Sequence, residues 1–161
     1  MPGKVCDHTS VGMIVRRGDE ILFIERKRFP FGWAAVAGHV DSDAEYRDET
    51  YEVAARRELM EEVGLRAKSL KLVLDERKGN QCRREGGTWH HWKVYEVEAE
   101  GEVQTAEDEV RRYRWLGATE IEELAGRTKR YLEGETTEEE WKKSPGLEPV
   151  WYEFLRELGV I

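Results

Sequence analysis

The sequence predicts a layered fold of the α/β (α+β) class, in which helices pack on the faces of a β-sheet. Short apolar and β-branched runs are separated by turn residues, which is typical of strands. A glutamate-rich helical segment lies between these runs, and after residue 119 the apolar residues recur at helical spacing. The length of 161 residues suits one domain with a sizeable core. We therefore expect residues 1–161 to form a single domain, with residues from about 119 to 161 as a helical C-terminal extension packed on it.

Composition and charge narrow the class of protein. Hydrophobic residues make up 39% of the chain and charged residues 37%, and six Trp and six Tyr argue against disorder. The net charge of −8 argues against a nucleic-acid partner. No apolar run is long enough to span a bilayer and the first residues lack a signal-peptide core, so we expect no membrane partner and a cytoplasmic location. Two cysteines do not make a disulfide framework.

The first part of the chain predicts a β-hairpin followed by an irregular segment. Residues 10–17 and 21–26 have the pattern of strands, and Gly18 and Asp19 form a turn between them. Residues 29–38 are apolar but too rich in turn residues for a long helix. Residues 39–48 are polar and are expected to form a loop.

A helix is predicted next, because Thr50 is a suitable N-cap and Gly64 a suitable C-terminal stop. Its buried surface is expected to come from the apolar residues Val53, Ala54, Leu59 and Val63. Further strands are predicted at residues 70–75, 89–99 and 110–116, with a loop at 78–88. Helices are predicted from residue 119, near residues 136–141, and from residue 149.

Three glutamates of the predicted helix share one face. Glu58, Glu61 and Glu62 are spaced i, i+3 and i+4, so their carboxylates are one turn apart and repel one another. A hard divalent cation with oxygen ligands would offset this repulsion. An ordinary solvated acidic face is the alternative interpretation of these three residues by themselves.

The surrounding residues decide between the two interpretations, because the segment resembles the Nudix hydrolase signature. Residues 57–65, Arg-Glu-Leu-Met-Glu-Glu-Val-Gly-Leu, match the C-terminal part of that signature, and Glu49 lies at the required spacing before them. Gly38 is similar to the first glycine of the signature. Ten residues separate Gly38 from Glu49 where the family has five, which indicates a five-residue insertion, and the proline common before that glycine is absent.

The resemblance implies an α/β/α sandwich with a central mixed sheet, plus C-terminal helices. It also implies hydrolysis of a diphosphate bond in a small-molecule nucleoside diphosphate derivative, by attack of water on phosphorus with Mg²⁺ or Mn²⁺ as cofactor. By the same resemblance, the metal ligands and catalytic residues are Glu58, Glu61 and Glu62, with the carbonyl of Gly38 as a further ligand. Glu49 and Arg57 are then a structural ion pair at the start of the helix, although a solvated Arg57 is an alternative.

The residues that activate water and bind substrate are less specific in the sequence. Glu109, before the predicted strand at residues 110–116, resembles a later catalytic base, and the alternative is a plain loop carboxylate. Arg26 and Arg28 follow the second strand, where relatives contact phosphate, and surface positions are the alternative for both. Trp33 could stack on the base of the substrate, or it could be a core residue.

Cysteine and histidine residues raise the separate question of zinc. Cys6 and His8 would lie on one face of an extended segment, and Cys82 and His90 lie in and after the loop at residues 78–88. These four residues could form a structural tetrahedral zinc site if the first strand and the strand at 89–99 are neighbours. Ordinary thiols and surface imidazoles are the alternative. His39 is expected to pack in its loop or to support a metal ligand, and not to be a ligand itself.

Two other functions on the same fold stay open. One is an isopentenyl-diphosphate isomerase-like enzyme, and the other is a non-catalytic Nudix-fold nucleotide sensor; the intact glutamate cluster counts against both. A homodimer is a further expectation, since Trp141 and Trp151 offer apolar surface, although packing on their own domain explains them equally well.

Overall fold

The structure is a computed structural model that describes residues 4–40 and 50–161. Its strands are β1 (Thr9–Arg17), β2 (Glu20–Arg26), β3 (Trp33–Ala34), β4 (Val36–Gly38), β5 (Arg66–Gly79), β6 (Trp89–Glu100) and β7 (Val110–Leu116). Its helices are α1 (Tyr51–Val63), α2 (Ala118–Leu132), α3 (Glu138–Lys143) and α4 (Pro149–Glu157). The polar segment at residues 41–49, including Glu49 and the predicted insertion, lies outside the described residues.

The strands form one mixed sheet, as predicted. Its order is β3-β2-β1-β6-β5, with β4 paired to β1 and β7 paired to β2. β1 and β6 run parallel, from Thr9 opposite His91 to Val15 opposite Val97, and every other pairing in this sheet is antiparallel. The predicted neighbourhood of the first strand and the 89–99 strand is therefore confirmed, and it brings the N-terminal segment beside the start of β6.

Side chains of β1 alternate between two apolar layers, because successive residues of a strand point to opposite faces. Val11 and Met13 pack with α1 in one core cluster, whereas Ile14 packs in the other with the C-terminal helices. Gly12 also faces the second layer, where an added Cβ would lie 2.6 Å from the Trp151 ring. Helices thus cover both faces of the sheet, which is the predicted α/β/α arrangement.

α1 begins and ends at the predicted residues. The Thr50 hydroxyl accepts a hydrogen bond from the Val53 amide at 3.1 Å, and Gly64 ends the helix with a φ of 69°. Its buried face consists of Ala54, Ala55, Leu59 and Val63. Val53 differs from the prediction, because its side chain is 52% exposed on the solvent side of the helix.

β5 is longer than its apolar pattern predicts. It pairs with β6 from Arg66 to Gly79, with two register shifts along the way, so backbone hydrogen bonding extends it beyond the apolar residues 70–75. Most of its side chains are exposed or half-buried. The predicted loop at 78–88 is accordingly shortened by two residues at its start.

The C-terminal helices pack on the sheet. Trp151 and Phe154 of α4 are fully buried in the second apolar layer, and Trp141 stacks on Tyr131 with ring centroids 4.1 Å apart. Both tryptophans are thus buried within the chain, which favours the intramolecular explanation of their apolar surface. In the part of the chain that the structure describes, no helix has the length and apolar character to cross a membrane.

Candidate active site

A cleft of about 600 Å³ lies where the ends of β4 and β2, helix α1 and the loop after β5 meet. We call it the carboxylate cleft, because its lining includes Glu58, Glu61, Glu62, Glu109 and Glu148. Basic side chains also line it, among them Lys4, Arg26, Arg57, Arg83 and Arg84. A cleft that presents both carboxylates and guanidinium groups can accept a phosphorylated ligand together with a cation.

Gly38 and Glu58 approach each other closely in the cleft. β4 ends at Gly38, and an added Cβ there would lie 2.1 Å from Cδ of Glu58 and 2.5 Å from its Oε1. Only glycine lets the strand backbone lie this close to the carboxylate. The predicted metal ligands Gly38 and Glu58 are therefore adjacent in space.

Arg57 holds the acidic face together. Its Nη1 donates to Oε1 of Glu58 at 2.9 Å and to Oε2 of Glu61 at 3.1 Å, and its Nη2 donates to the carbonyl of His39 at 3.0 Å. Its side chain is only 15% exposed, which differs from the solvated alternative. Arg57 thereby orients two carboxylates and fastens α1 to the residue after β4. The predicted partner Glu49 lies outside the described residues.

Burial and a neighbouring carboxylate perturb the carboxyl group of Glu62. Burial raises the pKa of its carboxyl well above the ordinary value, and the nearby Glu58 carboxylate raises this pKa further, while Arg26 lowers it. Its Oε2 is buried and has no hydrogen-bond partner among the described residues. A buried carboxylate oxygen without a donor, beside a second carboxylate, fits a divalent cation, which takes oxygen ligands.

Glu109 and the two predicted arginines lie at the end of β2 and before β7. Arg26 lines the cleft, and its Nε donates to the Pro30 carbonyl at 2.7 Å. Arg28 is not among the described lining residues, and its Nη1 lies 3.9 Å from Oε1 of Glu109. Glu109 itself lines the cleft and also pairs with Arg83 at 3.4 Å. Glu109 and Arg26 thus line the same cleft as the glutamates of α1. Arg28 contacts Glu109 but is not among the lining residues that the structure describes.

Trp33 does not occupy the predicted substrate-binding position. Its side chain is 3% exposed and packs in the apolar layer of the C-terminal helices. Its backbone is fixed by a hydrogen bond from its amide to the Gly146 carbonyl at 2.8 Å and by one from the Glu148 amide to its own carbonyl at 2.9 Å. Burial of a large aromatic ring stabilises the fold, so Trp33 is a core residue. The prediction that it binds substrate is therefore wrong.

Sulfur and nitrogen donors meet in the wall of the same cleft. One ligand atom from each of Cys6, His39, Cys82 and His90 lies within 4.8 Å of the others. The structure thus differs from the predicted set, because His39 takes the place of His8. His8 has a φ of 61°, so the segment is not extended and its side chain does not share a face with Cys6. The His8 ring instead stacks on Trp89 at 3.9 Å.

Three features of the cleft were not predicted from the sequence. Glu148 is 6% exposed, and burial raises the pKa of its carboxyl. In the sequence, this residue is recognisable only as the one before Pro149, at the start of a helix. Arg83 and Arg84 reach the cleft from an irregular loop that has no periodicity. His39 was detectable only as a histidine beside the signature glycine, and only the fold brings it to the cysteines.

Known proteins similar to this chain agree with the fold. The family model of the NUDIX domain matches residues 7–134. The NAD-capped RNA hydrolase NudC of Pseudomonas syringae pv. syringae (strain B728a) is 32% identical over 119 residues, which are 71% of this chain. The chain spans only 38% of the length of that relative.

Solved structures show the same likeness. The MutT NUDIX hydrolase from Burkholderia pseudomallei is 26% identical, with a TM-score of 0.58 over 70% of this chain and 84% of that one. The MutT protein from Methanosarcina mazei Go1 is 15% identical, with a TM-score of 0.65 over 98% of this chain and 94% of that one, and shows the fold alone. On the family match and the shared fold, the chain belongs to the Nudix hydrolase family.

Proposed function

We propose that this chain hydrolyses a diphosphate bond in a nucleoside diphosphate derivative, by attack of water on phosphorus, with Mg²⁺ or Mn²⁺ as cofactor. The observation that carries the proposal is the buried Oε2 of Glu62, which has no hydrogen-bond partner among the described residues and lies in a cleft with Glu58 and Gly38. Membership of the Nudix hydrolase family supports pyrophosphate-bond hydrolysis in general.

In this proposal, Glu58, Glu61, Glu62 and the carbonyl of Gly38 hold the divalent ion. When bound, that ion neutralises phosphate oxygens and lowers the pKa of an attacking water. Arg57 keeps the carboxylates of Glu58 and Glu61 in place through its two Nη1 hydrogen bonds. Because these contacts exist before any ligand binds, little reorganisation is needed during the reaction.

Arg26 and Glu109 supply the remaining roles in the proposal. The Arg26 guanidinium lines the cleft and would donate to phosphate oxygens of the substrate. Glu109 is the proposed general base, a carboxylate that accepts the proton of the attacking water. Its ion pairs with Arg28 and Arg83 hold its side chain beside the cleft.

A second candidate substrate is a nucleotide cap on RNA. The relative with 32% identity is named an NAD-capped RNA hydrolase, and the cleft edge includes Lys4, Arg83 and Arg84, which could contact additional phosphates. The net charge of −8 opposes RNA binding by the protein as a whole. The small-molecule substrate is therefore preferred.

One assay tests the proposal and separates the substrates. Release of nucleotide and phosphate is measured from a panel of nucleoside diphosphate derivatives, NAD and NAD-capped RNA, with Mg²⁺, with Mn²⁺ and without a divalent ion. We expect metal-dependent turnover of at least one small molecule, and a loss of about 100-fold or more in Glu62→Gln. Glu52→Gln is the matched control, because Glu52 is an exposed glutamate of α1 that does not line the cleft. Full turnover in Glu62→Gln would contradict the assignment of α1 as the metal platform.

The same panel, with isopentenyl diphosphate added and its products analysed, decides between hydrolysis and the two other functions. An isomerase would rearrange isopentenyl diphosphate without releasing phosphate, and it would need a cysteine for proton transfer. Here Cys6 and Cys82 both belong to the cluster with His39 and His90, which argues against that role. A nucleotide sensor would bind members of the panel without turnover. Either result would replace the proposal.

Three further expectations belong to the proposal. We expect residues 1–161 to form one Nudix domain, with residues from about 119 to 161 packed on it, and the close approach of Gly12 to the Trp151 ring supports this expectation. A homodimer and a cytoplasmic location stay predictions. Light scattering on the purified protein measures the oligomeric state directly.

A further inference from the structure

We propose that Cys6, His39, Cys82 and His90 form a structural zinc site, separate from the proposed divalent-ion site on α1. The four donor atoms lie within 4.8 Å of one another, and the site would join three separate parts of the fold. Two thiolates and two imidazoles are the donor set of tetrahedral zinc, and four protein ligands leave no open position for a substrate.

The distances already approach those of a metal centre. Sγ of Cys6 lies 3.3 Å from Nε2 of His90 and 3.8 Å from Nε2 of His39. A tetrahedral zinc ion with ordinary bond lengths would set each sulfur about 3.6 Å from each nitrogen. Because every pair of donor atoms lies within 4.8 Å, no pair would contract by more than about 1.5 Å on binding.

The orientation of His90 is fixed for metal binding by its neighbours. The indole Nε1 of Trp92 can only donate, and it donates to Oδ1 of Asn80 at 3.0 Å, which identifies this atom as the acceptor oxygen. Nδ1 of His90 lies 3.0 Å from the same oxygen and must therefore carry a hydrogen. Nε2 of His90 is left with a free lone pair directed at Cys6, which is the arrangement of a zinc-bound histidine.

Both sulfur atoms accept backbone hydrogen bonds. The amide of His8 donates to Sγ of Cys6 at 3.3 Å, and the amide of Arg84 donates to Sγ of Cys82 at 3.4 Å. Each donor is two residues after its cysteine. Hydrogen bonds from neighbouring groups fix the orientation of metal ligands. The two cysteines thus have the same local geometry, although they are 76 positions apart by sequence number (82 − 6).

The backbone at Gly87 packs directly against the sulfur of Cys82. An added Cβ at Gly87 would lie 2.2 Å from Sγ of Cys82 and 3.4 Å from Cβ of Cys6. The Cys82 amide donates to the Gly87 carbonyl at 2.8 Å, and the Cys6 amide donates to the Glu85 carbonyl at 2.8 Å. The N-terminal segment and the loop after β5 therefore meet at the thiols, and a metal ion would cross-link them to the end of β4.

The two proposed metal sites are expected to select different ions. The glutamates of α1 offer hard oxygen donors, which suit Mg²⁺ and Mn²⁺, whereas the cluster offers sulfur and imidazole nitrogen, which suit Zn²⁺. Cys6 and His90 are 5% and 1% exposed, whereas His39 and Cys82 are half-buried, so a zinc ion there would have two buried ligands and lie in the wall of the cleft. This proposal concerns a second site and holds or fails independently of the hydrolase activity.

The first test measures the metal in the native protein. The full chain is purified under reducing conditions without added zinc or chelator, and its metal content is determined by mass spectrometry. We expect about one zinc ion per chain. After zinc removal, Co²⁺ should give the visible spectrum of tetrahedral cobalt with thiolate ligands. Zinc far below one per chain together with no such cobalt spectrum would overturn the proposal, as would a Cys6–Cys82 disulfide in the native protein.

The second test identifies the ligands. Cys6→Ser and His39→Gln should each lose the zinc, and Asn80→Ala should weaken its binding by about 10-fold or more. Two matched controls carry the same histidine substitution, His8→Gln and His91→Gln. His91 is next to His90 but pairs with Asp75 on the opposite side of the sheet. Both controls should keep the zinc, and zinc retention in His39→Gln would overturn the assignment.

A third test perturbs the proposed zinc site without removing a ligand. Gly87→Ala keeps all four ligands and should still weaken zinc binding, because its Cβ would displace Cys82 Sγ. Gly79→Ala is its control, since an added Cβ there meets nothing within 4 Å. If the ligand variants unfold, the zinc content and cobalt spectrum of the native protein still decide the proposal.

Discussion

The substitution Gly38→Ala tests the geometry of the carboxylate cleft most directly. The new Cβ would lie 2.1 Å from Cδ of Glu58, whereas an ordinary van der Waals contact needs about 3.4 Å. The Glu58 carboxyl must therefore retreat by about 1.3 Å. That displacement also disturbs its 2.9 Å hydrogen bond from Arg57, so both the metal ligand and its support move.

The expected effect is large on the rate and small on the stability of the fold. Misplacement of a reacting or positioning group by about 1 Å can cost about 100-fold in rate, which corresponds to about 2.7 kcal/mol in the activation free energy. The clash is with the end of a side chain rather than with backbone, so Glu58 can rotate into the cleft without unfolding the protein. The melting temperature should therefore change by only a few degrees.

The assay compares kcat and the dependence on Mg²⁺ concentration between the native chain and Gly38→Ala, on the best substrate of the panel. Gly79→Ala is the control, because it adds the same methyl group to a strand glycine with open space around it. A Gly38→Ala variant with native kcat and native Mg²⁺ dependence would refute the close approach of Gly38 to a functional carboxylate. A folded variant with a lowered kcat would support it.

Two further substitutions test the burial of the Glu62 carboxyl and the packing of α4 on β1. Because burial raises the pKa of the Glu62 carboxyl in the folded state, the folded protein holds this proton more tightly than the unfolded chain does, and its stability falls as pH rises from the ordinary value of 4.5 through the raised pKa. In buffer without divalent ions, Glu62→Gln should therefore melt at a higher temperature than the native chain at alkaline pH, and an equal or lower melting temperature there would contradict the burial of this charge. Gly12→Ala should destabilise the fold by about 1–3 kcal/mol, since its Cβ would lie 2.6 Å from the Trp151 ring, and chemical denaturation measures the loss. An unchanged free energy of unfolding would show that α4 does not pack on β1 as described.

Local sequence patterns predicted the elements whose ends are marked by neighbouring residues. Thr50 and Gly64 mark the two ends of α1 because capping depends on neighbouring residues alone. The strand predicted at residues 110–116 is β7 at the same bounds. The spacing of Glu58, Glu61 and Glu62 was readable for the same reason, since a helix fixes which residues share a face.

Tertiary contacts decided the elements that the sequence did not predict. β5 extends beyond residues 70–75 because β6 offers partners along its whole length, a fact that no local pattern contains. Trp33 could have been a stacking platform or a core residue by composition, and the C-terminal helices bury it. The cluster of sulfur and nitrogen donors needed both the parallel pairing of β1 with β6 and the positive φ of His8, which removes one expected ligand.

His39 contacts residues of both proposed metal sites. Its imidazole faces Cys6, while its carbonyl accepts a hydrogen bond from Arg57, the residue that also holds Glu58 and Glu61. Gly38 precedes it directly, so a ligand that fixes the His39 ring also limits how far the Gly38 carbonyl can move. Because a peptide unit is planar, the positions of these two groups are not independent. The zinc site would therefore stabilise the geometry of the carboxylate cleft without taking part in the reaction.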